Sequence, residues 1–445
     1  MHKAVTPEFV PGTRKRGRKG LLAVVVGFAT ILTACAGSSS STGSGNTASA
    51  PGITETTITL GSHQPLTGPA APGYARISLS SNAFFQWIND HGGVNGRTIV
   101  YKFEDDGYNP TRTTTVVRKA VLEDKVFALF DGLGTPTHLA VVDYLNTEKV
   151  PDVFVASGCN CWGDASKYPY TYGWQPDYTI EGKILGQYIT QNFADQKVGY
   201  FYQNDEFGQD GVKGLDLSIP GGLVGSGARQ TYVTSNPDVA PAIDAIQASG
   251  AKVVVLYAIP AFAVLAMSAA AKRGYHPQWV ISSVGSDPTT LKGILGAKLP
   301  DPKPFLEGIV SDTYLAPLTK ADDPWVQLFE QVRKKYIPTI PMDGNVEYGM
   351  AVAYSFVEAM KKAGQNPTRQ DLINVLNGGK LSQGAGLTKF GYSSSSHLGY
   401  LGQQMFTIKS GDAVVAGPVY QATDTGPITT YTGGEIAPPT NGVPQ

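Results

Sequence analysis

Val126-Phe127-Ala128-Leu129-Phe130-Asp131-Gly132-Leu133-Gly134-Thr135-Pro136-Thr137 decides the fold of this chain. A five-residue apolar run, a glycine-bearing turn and a helix start make one strand–turn–helix unit. Thr135 is the expected N-cap and Pro136 the first helical residue of a helix running to Asn146. The next apolar run, Val153 to Ala156, repeats the unit. Upstream, Ile58 to Ser62 and Thr98 to Phe103 read as strands, each followed by a helix, Tyr74 to Asn89 and one opening at Asn109-Pro110. Such alternation predicts a parallel sheet with helices on both faces.

A second series begins after Trp174. It holds a helix over 178–192, a strand Val198–Tyr202, a helix near 211–217, a strand Val253–Tyr257, a helix over 262–272 and a strand Trp279–Ser283. Further helices are expected near 325–336, 347–363 and 368–376. Two doubly wound α/β lobes are the economical reading.

The loop Gly132-Leu133-Gly134 has the look of a dinucleotide fingerprint, but the third glycine position is Thr137 and the loop follows the third strand, not the first. The same loop suits a carboxylate, because free backbone N–H groups at a helix start attract anions. The sequence contains no His-Glu-x-x-His, P-loop or Gly-x-Ser-x-Gly motif, and its His residues are scattered, so no nucleophile and base set emerges. His63 and His138 read as hydrogen-bonded structural residues. No cofactor is expected, and no metal site, since Cys159 and Cys161 lack further ligands nearby.

The ends read differently from the body. Residues 1–34 carry Lys3, Arg14, Lys15, Arg16, Arg18 and Lys19 against Glu8 alone, followed by the short apolar run Leu21–Ala29. That is the pattern of a secretory signal, too short to span a membrane. Leu32-Thr33-Ala34-Cys35 resembles the lipobox of bacterial lipoproteins, which implies a cleaved leader and a lipid on Cys35. Residues 36–52 are almost all Ser, Gly, Thr and Ala and predict a flexible tether. Residues 423–445 predict a loose, disordered tail. The whole chain of 445 residues has a formal charge of −1, but the basic head accounts for much of its positive charge; residues 35–445 alone carry about −6. That balance gives no footprint for nucleic acid. In an oxidising compartment Cys159 and Cys161 can bridge. A pair two residues apart is tight, and the loop it closes is worth only roughly 1–2 kcal/mol.

The body resembles the type I periplasmic solute-binding proteins of the branched-chain amino acid class. The stretches that carry the likeness are Pro65–Pro69, Trp87–Gly96, Asp105–Pro110, Leu133–Thr137, Gly173–Tyr178 and Tyr202–Gly208, which recur in family order between about Ile53 and Tyr420. The resemblance implies two Rossmann-like lobes joined by a three-crossover hinge, with residues 53–173 and 318–398 in lobe 1 and 174–317 and 399–422 in lobe 2. It implies a monomeric lipoprotein on the outer face of the cell membrane, handing a small solute to an ABC permease and its ATPase subunits. A sensory module without transport is the alternative, and an extracytoplasmic enzyme the third reading. Family pockets seat a carboxylate on the loops matching Gly134, Thr135 and Thr137, and Ser157, Gly158 and Cys159. Aromatics matching Tyr178, Phe207 and Tyr257 close over it, although Phe207 and Tyr257 fit core packing equally well. Two departures stand out. A cysteine replaces the small or hydroxyl residue at 159, and Val284-Gly285-Ser286 stands where amino acid binders place an acid for the ligand ammonium. The solute is therefore left open between an amino acid and another carboxylate or an amide.

Overall fold

The computed structural model describes residues 45–444, so Cys35 and the leader lie outside the described residues. β1 (Thr57–Gln64), β2 (Thr98–Asp105), β3 (Ala128–Phe130), β4 (Asp152–Val155) and β5 (Thr171–Gly173) form a parallel sheet in the order β2-β1-β3-β4-β5. β6 (Val198–Gln203), β7 (Val224–Tyr232), β8 (Val253–Tyr257), β9 (Gln278–Ile281) and β10 (Val310–Thr313) form a second parallel sheet in the order β7-β6-β8-β9-β10. β11 (Gly402–Lys409), β12 (Asp412–Gln421) and β13 (Thr429–Thr430) extend its β10 edge antiparallel. The central strand β8, Val-Val-Val-Leu-Tyr, is buried along its whole length, as a strand covered on both faces must be.

Helices α1 (Ala71–Asp90), α2 (Pro110–Leu122), α3 (Thr135–Leu139) and α4 (Val142–Thr147) serve the first sheet. α5 (Tyr178–Asn192), α6 (Glu206–Ser218), α7 (Ala240–Ala248), α8 (Pro260–Ala271), α9 (Pro288–Gly296) and α10 (Lys303–Leu306) serve the second. The chain then crosses back: α11 (Pro324–Tyr336), α12 (Gly344–Lys362) and α13 (Arg369–Asn377) return to lobe 1, where Ser81 Oγ of α1 donates to Gly349 O of α12 at 2.8 Å. The crossings after β5, after β10 and before β11 make a three-crossover, two-lobed α/β fold.

Glycines set one packing that the site depends on. A Cβ at Gly214 of α6 would lie 2.2 Å from Thr179 O, and one at Gly182 of α5 would lie 2.3 Å from Gly211 O. Only hydrogen there lets α5 and α6 approach closely. Asp177 and Asp205 cap these two helices, accepting from Thr179 N and Ile180 N, and from Phe207 N. Tyr178 and Phe207 are thereby held at the mouths of neighbouring helices.

Several expectations are corrected. The helix expected over 136–146 is two short ones, broken at Ala140 and Val141. Its N-cap is Gly134 at φ 105°, and the Thr135 hydroxyl does not cap it. The tail beyond 422 is not loose: β13 pairs with β12, and the indoles of Trp325 and Trp87 donate to Ile436 O and Asn441 O at 2.6 and 2.7 Å. Tether residues from 45 onward are also held. Thr47 N donates to Asn366 Oδ1, Ser49 Oγ to Pro367 O, and the buried Arg97 guanidinium to Thr47 O. In both segments hydrogen bonds with the body hold the chain, and Ala50, Ile428 and Val443 pack against the core. β7, β11 and β12 were not anticipated: β7 and β12 are largely half-exposed, and the buried β11 opens on Gly-Gln-Gln, so none gives a continuous apolar run.

Candidate ligand-binding cleft

Each sheet reverses its strand order beside its first strand, β1 or β6, and open α/β sheets bind ligands beyond the carboxyl ends of strands at such a point. Here a cavity of about 550 Å³ lies there, walled by both lobes.

On the lobe 1 side, Gly134 and Thr135 line it. A Cβ on Gly134 would lie 2.5 Å from both the Tyr108 ring and Thr137 Oγ, so the turn admits no side chain. The Thr135 and Ser157 hydroxyls share a hydrogen bond of 2.7 Å, and Ser157 Oγ accepts Cys159 N. The first N–H groups of α3 have no partner inside so short a helix. Thr137 is turned away, its hydroxyl donating to Leu133 O at 2.6 Å. Gly158 supports the wall from behind, its carbonyl accepting Tyr178 N at 2.7 Å. Cys159 is buried beneath it with Trp162 and Tyr168, and its sulfur is joined to that of Cys161.

On the lobe 2 side Tyr178 and Phe207 line the cavity, their ring centroids 4.7 Å apart. Tyr257 does not reach the wall. It sits behind both rings, its hydroxyl donating to Tyr178 O at 3.4 Å.

The structure adds walls that sequence reasoning did not name. Tyr74, Tyr108, Tyr314 and Tyr348 contribute rings, and Asp287, Asp312 and Glu347 contribute acids. The signal for Tyr108 was present in Asp-Gly-Tyr-Asn, where it sits at φ 58° after a glycine turn. Asp287 caps α9 through Thr290 N and reaches the other lobe, accepting Gly344 N at 3.0 Å. Tyr74 OH donates to Val284 O at 2.6 Å and Asn345 Nδ2 to Thr290 Oγ at 3.1 Å. These bonds tie the lobes together in a closed arrangement. Burial pushes the carboxyl groups of Asp312, Glu181 and Glu347 above their ordinary range, with neighbouring acids adding to the rise at Asp312 and Glu347.

Beneath the lobe 1 wall, His63 and His138 are joined to each other. Asp106 Oδ2, His63, His138 and Asp152 Oδ2 form a fully buried line with links of 2.8, 3.0 and 2.7 Å. Filling three such links takes one proton more than two neutral imidazoles carry. Burial lowers the His63 pKa, with the Asp106 carboxylate opposing the shift. A Cβ on Gly132 would lie 2.6 Å from His63 Nε2, so this line packs directly under the turn. Among the described residues no group of His, Cys, Asp and Glu is arranged to hold a metal ion.

The sequence profile of the periplasmic binding protein family matches residues 57–412. A Leu/Ile/Val-binding protein homolog from Brucella suis is 24% identical over 328 residues, covering 70% of this chain and 80% of the relative. A fatty acid ABC transporter substrate-binding protein from Thermomonospora curvata superposes with a TM-score of 0.71 at 22% identity, over 84% of this chain and 95% of that one. A branched-chain amino acid ABC transporter protein from Thermus thermophilus, with bound valine, gives 0.70 at 19% identity over 83% and 97%. At these identities the structural likenesses establish the fold alone.

Proposed function

The chain belongs to the periplasmic binding protein family, and on that premise we propose that it captures a small amino acid, or a related carboxylate or amide, outside the cytoplasm and delivers it to an ABC permease. The observation that carries this reading is the cavity of about 550 Å³ walled by both lobes at their strand ends, which suits a small solute. Thr135 and the N–H groups after Gly134 offer a polar seat on lobe 1, with Ser157 holding the Thr135 hydroxyl from behind and Gly158 and Cys159 shaping its floor. Tyr178 and Phe207 cover the solute from lobe 2, and Tyr257 holds them in place.

Capture proceeds by hinge closure. The lobes rotate about the three crossings, and the closed state is favoured to the extent that the solute touches both walls at once. The Asp287–Gly344 and Tyr74–Val284 bonds form only on closure and give the permease a distinct surface to read. Lipidated Cys35 anchors the protein to the outer face of the membrane, and the body acts as a monomer. It performs no chemistry on the solute.

The test is a thermal-shift screen of purified protein against amino acids, carboxylates, amides and sugars, followed by uptake of the labelled hit in cells lacking the gene. A solute at 100 times its Kd raises stability by about 2.7 kcal/mol. Lost uptake supports transport; unchanged uptake of a tightly bound solute favours a sensory module. Turnover of the solute by purified protein contradicts both.

A further inference from the structure

The cleft walls carry acids and no bases. No Lys, Arg or His lines the cavity among the described residues, whereas Asp287, Asp312, Glu347 and, at the rim, Asp412 do. Two of these acids are already engaged: Asp287 in the bonds above, and Asp412 with Lys292 at 3.3 Å. The other two are not. Asp312 is 2% exposed, and among the described residues neither of its carboxyl oxygens has a donor other than the neighbouring Glu181 carboxyl and the Ser283 backbone. Its charged neighbour is a further buried acid, Glu181, whose Oε1 is taken by Ser283 N and Oγ at 2.7 and 2.6 Å and whose Oε2 is free. Glu347 is 3% exposed with Oε1 unpartnered, and the charges acting on it are those of Asp323, Asp287 and Asp343.

Fully buried acceptors without donors are costly, and an ionised acid left so costs several kcal/mol. Among the described residues no cation or donor relieves Glu347, and the Asp312 carboxyl meets only the Glu181 carboxyl and the Ser283 backbone. The rings of Tyr74, Tyr108, Tyr178, Tyr314 and Tyr348 face the same space, and aromatic faces attract cations. We propose that the solute carries a protonated amine, seated among these tyrosines, whose N–H groups donate to the free oxygens of Asp312 while Glu347 faces it from the opposite lobe. The cation seat thus moves from the end of β9, where Val284 stands, to the end of β10. This assignment rests on the solute-binding reading and narrows it to amines and amino compounds; a plain carboxylate brings no N–H group to these acids.

The experiment is calorimetry on the purified protein with skeleton-matched probes. Phenethylamine and pentylamine are the cations; hydrocinnamate and hexanoate are their anionic counterparts, and hydrocinnamamide and hexanamide the neutral ones. The amines are expected to bind at least tenfold tighter. Asp312→Asn, and separately Glu347→Gln, are expected to cut that advantage tenfold or more. Phenethyltrimethylammonium, a cation with no N–H, is expected to bind more weakly than phenethylamine. Equal binding of matched amine and carboxylate, or amine binding untouched by both substitutions, overturns the assignment. If Asp312→Asn loses its fold, Glu347→Gln and the trimethylammonium comparison decide. Binding confined to carboxylates and amides overturns this inference alone, whereas no saturable binding by any probe or amino acid removes the solute-binding reading as well.

Discussion

At the scale of single residues, position relative to the cavity separates rings that look alike in the sequence. Tyr178 is on the wall, so Tyr178→Ala is expected to raise Kd tenfold or more, about 1.4 kcal/mol, with the fold intact. Tyr257 is one layer back and its hydroxyl makes only a 3.4 Å bond. Tyr257→Phe is expected to change Kd by less than threefold in the same calorimetric titration. Asp312 gives a pH signature. Its folded pKa is raised, so the folded state binds the extra proton, and stability drops as pH rises from the ordinary carboxyl range through the folded value. Removing the group removes that loss. Solute-free Asp312→Asn is expected to melt roughly 1–3 °C above wild type at pH 7, and the gain should vanish near pH 4; a variant melting lower at pH 7 contradicts this. Positions on the cavity wall were legible at Gly134 and Thr135 from a strand–turn–helix signal and at Tyr178 and Phe207 from the family resemblance. Asp312 and Glu347 were not: a strand-end Asp and a first-turn Glu read as ordinary solvated or dipole-complementing acids, and only the fold turns them inward.

Among the elements, the α5–α6 pair is the part on which the aromatic wall depends. Gly214→Ala places a Cβ 2.2 Å from Thr179 O, backbone that cannot swing aside. A loss of about 1–3 kcal/mol is expected on denaturant unfolding, with weaker solute binding because Tyr178 and Phe207 move with their helices. Wild-type stability in this variant contradicts the packing. The strands and long helices were readable because β8 is continuously apolar and because Asn109-Pro110 caps and opens α2 as expected, whereas α6 and α12 start earlier than expected, at caps Asp205 and Asp343 that periodicity does not mark. α3 and α4 were read as one helix. Periodicity cannot see that His138 is committed to a buried line with His63 and Asp152, which holds the first turn in place while the chain breaks two residues later.

For the whole molecule, two sheets of matching strand order bring their switch points face to face, and the family assignment follows from a profile spanning most of the body. Closure on a solute is the proposal at this scale. Asp287→Ala removes the bond to Gly344 across the lobes, and a severalfold loss of affinity with an unchanged solute-free fold is expected. Two lobes were foreseeable from alternation alone. How the chain crosses between them was not, since the returning helices α11–α13 lie more than 140 residues beyond the lobe they complete. The most direct test of solute capture between the lobes is small-angle scattering of the purified protein, with and without a solute from the thermal-shift screen, run beside Tyr178→Ala. The account predicts a saturable solute-dependent decrease in radius of gyration that the variant needs at least tenfold more solute to reach. A bound solute that leaves the radius unchanged, or a transition that Tyr178→Ala does not shift, contradicts it.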